Sequence, residues 1–149
     1  MTQKEFIEIL EDEGYSYEMS GDKIIVNYKG NVYLNDITSI SPGVVFINGE
    51  GVFLSSLTSL PSGVEFRNVS YVNLSSLTSL PPGMEFRNVE GVDLGSLTSI
   101  PSSVEFKNGR NVDLSALIGD WFSDWKGNIE GIDPNRLLNF MISKGLFER

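Results

Sequence analysis

The chain has 149 residues, 40% of them apolar and 21% charged, with 15 glycines and a formal net charge of -9. It holds no cysteine and no histidine, which excludes disulfides, thiolate metal sites, a cysteine nucleophile and the usual general base near neutral pH. The acidic balance opposes direct binding to nucleic acid or to an anionic membrane, both of which call for clustered Lys and Arg.

The chain start, MTQKEFIEILEDEG, shows no basic stretch followed by an apolar run, and no segment approaches 18 consecutive apolar residues. A cytoplasmic protein of one domain, residues 1–149, is the expectation. Thr2 and Glu5 have the spacing of a capping box, Phe6, Ile7, Ile9 and Leu10 follow at helical spacing, and Gly14 is a stop. Tyr15 to Met19, the turn Ser20-Gly21-Asp22 and Lys23 to Tyr28 then read as a hairpin. Residues 1–20 are thus expected to form a helix and hairpin cap, and residues 21–36 a degenerate first coil.

Residues 37–116 fall into four blocks of 20: ITSISPGVVFINGEGVFLSS, LTSLPSGVEFRNVSYVNLSS, LTSLPPGMEFRNVEGVDLGS and LTSIPSSVEFKNGRNVDLSA. The second and third agree at 14 of 20 positions. A fixed period of this length predicts a solenoid, mainly β, in which each unit covers its apolar side only by stacking on its neighbours. A right-handed stack of such coils is expected over residues 37–117.

Within one block, Val64 and Phe66 alternate with Glu65 and Arg67, and Val72 and Leu74 alternate with Tyr71 and Asn73. This is the period of two short strands with one face inward. Leu77 and Leu80 add two more inward groups. Corners such as Pro61-Ser62-Gly63 and Pro81-Pro82-Gly83 fit a type II turn with glycine at positive φ, and Ser103 breaks that pattern in the fourth block.

Stacking predicts ladders: Phe46, Phe66, Phe86 and Phe106 inside, and Asn48, Asn68, Asn88 and Asn108 at a bend, the amides bonding backbone of the next coil. Outside, Glu65, Glu85 and Glu105 stand beside Arg67, Arg87 and Lys107, so diagonal ion pairs explain these carboxylates better than acid and base catalysis.

After Leu117 the repeat ends. Trp121, Phe122 and Trp125, then Asp133-Pro134 and the apolar face of Leu137, Leu138, Phe140, Met141 and Ile142, predict a helical lid over residues 118–149. The acidic loop of Asp120, Asp124, Glu130 and Asp133 fails calcium-loop spacing, because Lys126 sits where a ligand is needed. No metal, cofactor or catalytic residue is expected.

The units Val69-x-x-Val72-x-Leu74 and Val89-x-x-Val92-x-Leu94, with the recurrent LTSLP, resemble the short leucine-rich-repeat-like proteins of bacteria and bacteriophages over about residues 22–117. That resemblance implies a protein-binding scaffold without catalytic residues, possessing no motif to carry over. The sequence departs from the leucine-rich-repeat pattern at Leu57, Leu77, Leu97 and Leu117, where the consensus has Asn. The departure favours a straighter stack with two short sheets over a horseshoe.

One outward column does not repeat: Tyr33, Phe53, Asn73, Asp93, Asp113, with Tyr71 and Arg110 beside it. Stacking alone gives no reason for such a gradient, so this column is the candidate binding face for a protein partner. The alternative reading of the chain is an acidic inhibitor that occupies a nucleic-acid groove of a host defence enzyme. Self-association through a face or an end is a third.

Overall fold

A computed structural model of the protein describes residues 1–101, 103–108 and 111–114. The expected C-terminal lid, with Trp121, Phe122, Trp125 and the helix after Asp133, lies outside the described residues, as do Leu117, the acidic loop and Arg110.

The first element is helix α1, Gln3–Glu13. It starts where the sequence says it must: Glu5 N–H donates to Thr2 Oγ1 at 3.1 Å and Thr2 N–H to Glu5 Oε1 at 3.2 Å. It ends at Gly14, whose φ of 78° is open to glycine at no steric cost. Tyr15 N–H then closes on Leu10 O at 2.9 Å. Phe6 and Leu10 are fully buried in the same apolar cluster as the coils, so the helix seals that end of the core.

Strands β1 (Tyr17–Ser20) and β2 (Lys23–Val26) form the expected antiparallel hairpin. The chain then enters β3 (Gly30–Tyr33), and each later coil supplies two strands: β4 (Val44–Phe46) and β5 (Gly49–Phe53), β6 (Glu65–Arg67) and β7 (Tyr71–Asn73), β8 (Glu85–Arg87) and β9 (Gly91–Asp93), β10 (Glu105–Lys107) and β11 (Asn111–Asp113). These collect into two sheets. Sheet A has the order β1-β2-β4-β6-β8-β10 and sheet B the order β11-β9-β7-β5-β3. Every coil-to-coil pairing is parallel, and from β4 and β5 onward partners stand 20 residues apart, as in Phe66 beside Phe86 and Val72 beside Val92. The result is a β-solenoid built on two short sheets.

Between the sheets lies the core. Phe46, Phe66, Phe86 and Phe106 stack with centroids 5.3, 5.6 and 5.0 Å apart and planes within 9° of parallel. Leu54, Leu74, Leu94 and Leu114 form a second buried column, and Leu57, Leu77 and Leu97 a third. Short strands alone would leave many backbone groups unpaired, and the bends supply partners. Thr58 and Thr98 donate through both N–H and Oγ1 to the carbonyl oxygen of the threonine one coil earlier, at 3.1–3.2 Å.

Glycines 43, 63 and 83 take φ values of 74°, 85° and 75°, so the corners need the residue the repeat provides. In the fourth repeat Val104 N–H donates to Pro101 O at 3.2 Å, and Ser103 Oγ accepts from Gly83 N–H at 2.7 Å. The serine thus ties its corner to the coil before it.

The Asn column differs from expectation. Asn68, Asn88 and Asn108 themselves adopt positive φ, at 55°, 52° and 59°. Their amides bond one another, Asn88 Nδ2 to Asn68 Oδ1 at 2.7 Å and Asn108 Nδ2 to Asn88 Oδ1 at 2.8 Å. Asn48 instead uses its side chain on backbone, donating to Gly30 O and Gly51 O at 2.8 and 3.0 Å. There Gly49 takes the positive φ, which frees the Asn48 amide to turn inward.

Candidate functional site

Sheet A carries its charges in pairs. Arg67 meets Glu65 at 3.0 Å and Arg87 meets Glu85 at 2.9 Å along one strand, while Lys107 bridges Glu105 at 3.3 Å and Glu85 of the previous coil at 3.2 Å. Lys23 stands 3.6 Å from Glu65. Expected diagonal pairing thus holds for Lys107 and Glu85, whereas the other repeats pair within the strand, two residues apart on one face. Hydrogen bonds from Lys107 and then Arg87 hold the Glu85 carboxyl below its ordinary range. The strands of sheet A hold four acids (Glu18, Glu65, Glu85, Glu105) and four bases (Lys23, Arg67, Arg87, Lys107).

Sheet B is built differently. The register places Tyr33 beside Phe53, Phe53 beside Asn73, Asn73 beside Asp93 and Asp93 beside Asp113, so the column expected from the sequence is a real row across five strands. Tyr71 lies in the neighbouring row, flanked by Gly51 and Gly91. The strands of this sheet contain Glu50, Asp93 and Asp113 and neither Lys nor Arg.

At the end of the row nearest α1, Tyr33 and Phe53 stack with centroids 4.8 Å apart and planes 13° from parallel. Tyr33 is 54% exposed, the most open of the large apolar side chains among the described residues. Tyr71 leans on Phe53 at 5.8 Å and 43°. The Phe53 ring lies across Gly51, where a Cβ would come within 2.6 Å of Phe53 Cε2. Glycine at position 51 is therefore what lets the ring fold over the sheet. Tyr15 steadies the edge by accepting from Tyr33 N–H at 2.9 Å.

The polar members of the row have a local task. Asn73 Oδ1 accepts from Ser75 N–H and Asp93 Oδ1 from Gly95 N–H, both at 3.0 Å. Each closes an Asx turn at the end of its strand. Phe53 cannot do this, and in its coil Asn35 reaches from the coil before to accept from Ser55 N–H at 3.0 Å and Ser55 Oγ at 2.8 Å. Sequence reading missed this division, although an Asn or Asp two residues before Ser or Gly is its signal. Tyr33 and Phe53, unlike Asn73 and Asp93, close no turn.

The Tyr71 phenol is pushed up by burial first, then by the charges of Asp93 and Asp113. The carboxylates therefore act electrostatically as far as the middle of the sheet. Among the described residues no group of three or more acidic side chains could hold a metal ion, and no helix is long and apolar enough to cross a membrane. Comparison with protein-family models, with curated proteins and with solved structures returns no match, so the reading of this face rests on its geometry.

Proposed function

We propose that the chain is a non-catalytic protein-interaction module whose partner docks on the outer face of sheet B, over Tyr33, Phe53 and Tyr71. The observation that carries this is the stacked pair of exposed Tyr33 and half-buried Phe53, in a row where Asn73 and Asp93 close turns. Aromatic rings presented on a rigid sheet offer contact area at little cost in side-chain entropy, which suits them to anchor an interface. The LTSLP units support kinship with short leucine-rich-repeat-like proteins of bacteria and bacteriophages, and a cytoplasmic scaffold fits that kinship. An acidic inhibitor aimed at a nucleic-acid groove has less support, because the glutamates of sheet A are matched by Lys and Arg.

A photo-crosslinking residue placed at Tyr33, and in a separate variant at Glu105 on sheet A, tests the reading in the native host cell. Adducts to one defined protein from position 33 and none from position 105 are expected, with loss of the complex in Tyr33→Ala/Phe53→Ala while that variant still folds and unfolds cooperatively. Equal adducts from both faces, or unfolding of the double variant, would overturn it.

A further inference from the structure

Asn48 is followed by Gly49, whereas Asn68 and Asn88, at the same place in later coils, are followed by valine. Glycine sets no side chain beside its own nitrogen, so an Asn-Gly step is where asparagine most readily loses its amide. The glycine nitrogen attacks the asparagine Cγ, ammonia leaves, and water then opens the cyclic imide to aspartate or isoaspartate. One water is consumed, one ammonia is released, and no oxidation state changes.

The bend between β4 and β5 opposes each part of that path. Asn48 is 5% exposed, which keeps water from it. Its Nδ2 donates to Gly30 O on the coil before and to Gly51 O on its own strand, at 2.8 and 3.0 Å. Two carbonyl acceptors fix which way round the amide stands, and both bonds must break before Cγ can turn to the glycine nitrogen. Oδ1, on which the negative charge of the addition step collects, is buried and meets no donor among the described residues. That charge would arise there without stabilisation.

The same contacts reject the product. A carboxylate at position 48 has no hydrogen to give and would set a buried charge against two carbonyl oxygens. An isoaspartyl residue would add a methylene to the main chain between strands whose register is fixed on both sides. We propose that Asn48–Gly49 is a modification site gated by folding: the closed bend preserves the amide, opening of the bend exposes it to hydrolytic loss of ammonia, and a chain altered there does not regain the native bend.

The test incubates the full chain in mildly alkaline buffer, with and without urea above the unfolding midpoint, and follows position 48 by mass spectrometry of proteolytic peptides. Loss of the amide should be about tenfold or more slower in the folded chain, because only the open fraction reacts. The urea-treated sample is then refolded and its native monomer isolated by size exclusion. Peptides modified at position 48 should be abundant in the whole sample and depleted at least fivefold in the native monomer. Asn48→Asp should melt at lower temperature than Asn88→Asp, which places its charge on an exposed ladder, or should fail to fold where Asn88→Asp folds. Equal rates of loss with and without urea, no loss in urea, or a native monomer carrying the modification in the same proportion as the whole sample would overturn the proposal.

Discussion

Replacing Phe86 by alanine is the sharpest test of the stack. Its ring is 1% exposed and lies between Phe66, at 5.6 Å, and Phe106, at 5.0 Å. Burying a phenylalanine in a core that cannot collapse around its loss is worth about 3–5 kcal/mol. Two stacked neighbours, each contributing about 0.5–1.5 kcal/mol beyond buried area, argue for the upper part of that range. A domain of this size has about 5–15 kcal/mol in all, so one side chain carries about a quarter or more. In a solenoid the loss also weakens two coil interfaces at once, since each coil touches only its neighbours. Urea unfolding should show the midpoint falling with an unchanged slope, the sign of a stability change without a change in surface exposed. Phe53→Ala, on the outer face, should cost about 1.5 kcal/mol or less, as one partly exposed stack is lost. A loss below about 1 kcal/mol for Phe86→Ala, or equal losses for the two variants, would refute a core organised around this ladder.

Asn88→Ala should destabilise by about 1–2 kcal/mol in the same assay, because alanine is strained at φ 52° and both amide ladder bonds are lost. Asn88→Gly should be milder, as it keeps the conformation and loses only the ladder. Asn35→Ala should lower the melting temperature by leaving Ser55 N–H without its acceptor, and adding Phe53→Asn should restore it by supplying the local Asx turn. The Glu85 carboxyl is held below its ordinary value of 4.5, so its contribution is present above that pH and is lost as pH falls through the folded value. A carboxyl carbon-13 titration should find Glu85 ionising at lower pH than in Arg87→Gln/Lys107→Gln. Lys107, raised by Glu85 and then Glu105, contributes fully below 10.5 and loses that contribution as pH climbs through its folded value.

Most of the architecture is legible in the sequence because its causes are local or periodic. Val64 and Phe66 alternate with Glu65 and Arg67, and a period of two can place them only on opposite faces. Thr2, Glu5 and Gly14 mark α1 because unpaired helix-end groups need particular side chains. Less legible are the choices among hydrogen-bond partners equally near in space. The Asn column could bond backbone or itself, and the conformation of the residue decides: where Asn takes the positive φ its amides meet those of adjacent coils, and where Gly49 takes it Asn48 turns to backbone. The pairing of Glu65 with Arg67 was equally open, since the same-strand and diagonal partners lie within reach of a long side chain. The candidate row was legible as a row, while the turn-closing task of Asn73 and Asp93 was hidden by treating every outward side chain as free.

A repeat protein also supplies its own controls. Each position of the coil is tried several times in nearly the same surroundings, so what the fold needs is the part that recurs. At the end of the sheet B strands, what recurs is an acceptor for the N–H two residues on, given by Asn73, by Asp93, and in the earlier coil by Asn35 acting from outside. Phe53 therefore stands where the fold would be served by Asn, and the acceptor it lacks is restored by a second residue in another coil. Tyr33 stacks on it from the edge strand, and Gly51 leaves the space its ring covers. Four residues from two coils thus converge on one ring pair, Tyr33 exposed and Phe53 half-buried, and a turn would have needed only one of them. The turn alone does not ask for that arrangement, and this is the ground on which the proposed docking of a partner over Tyr33 and Phe53 rests.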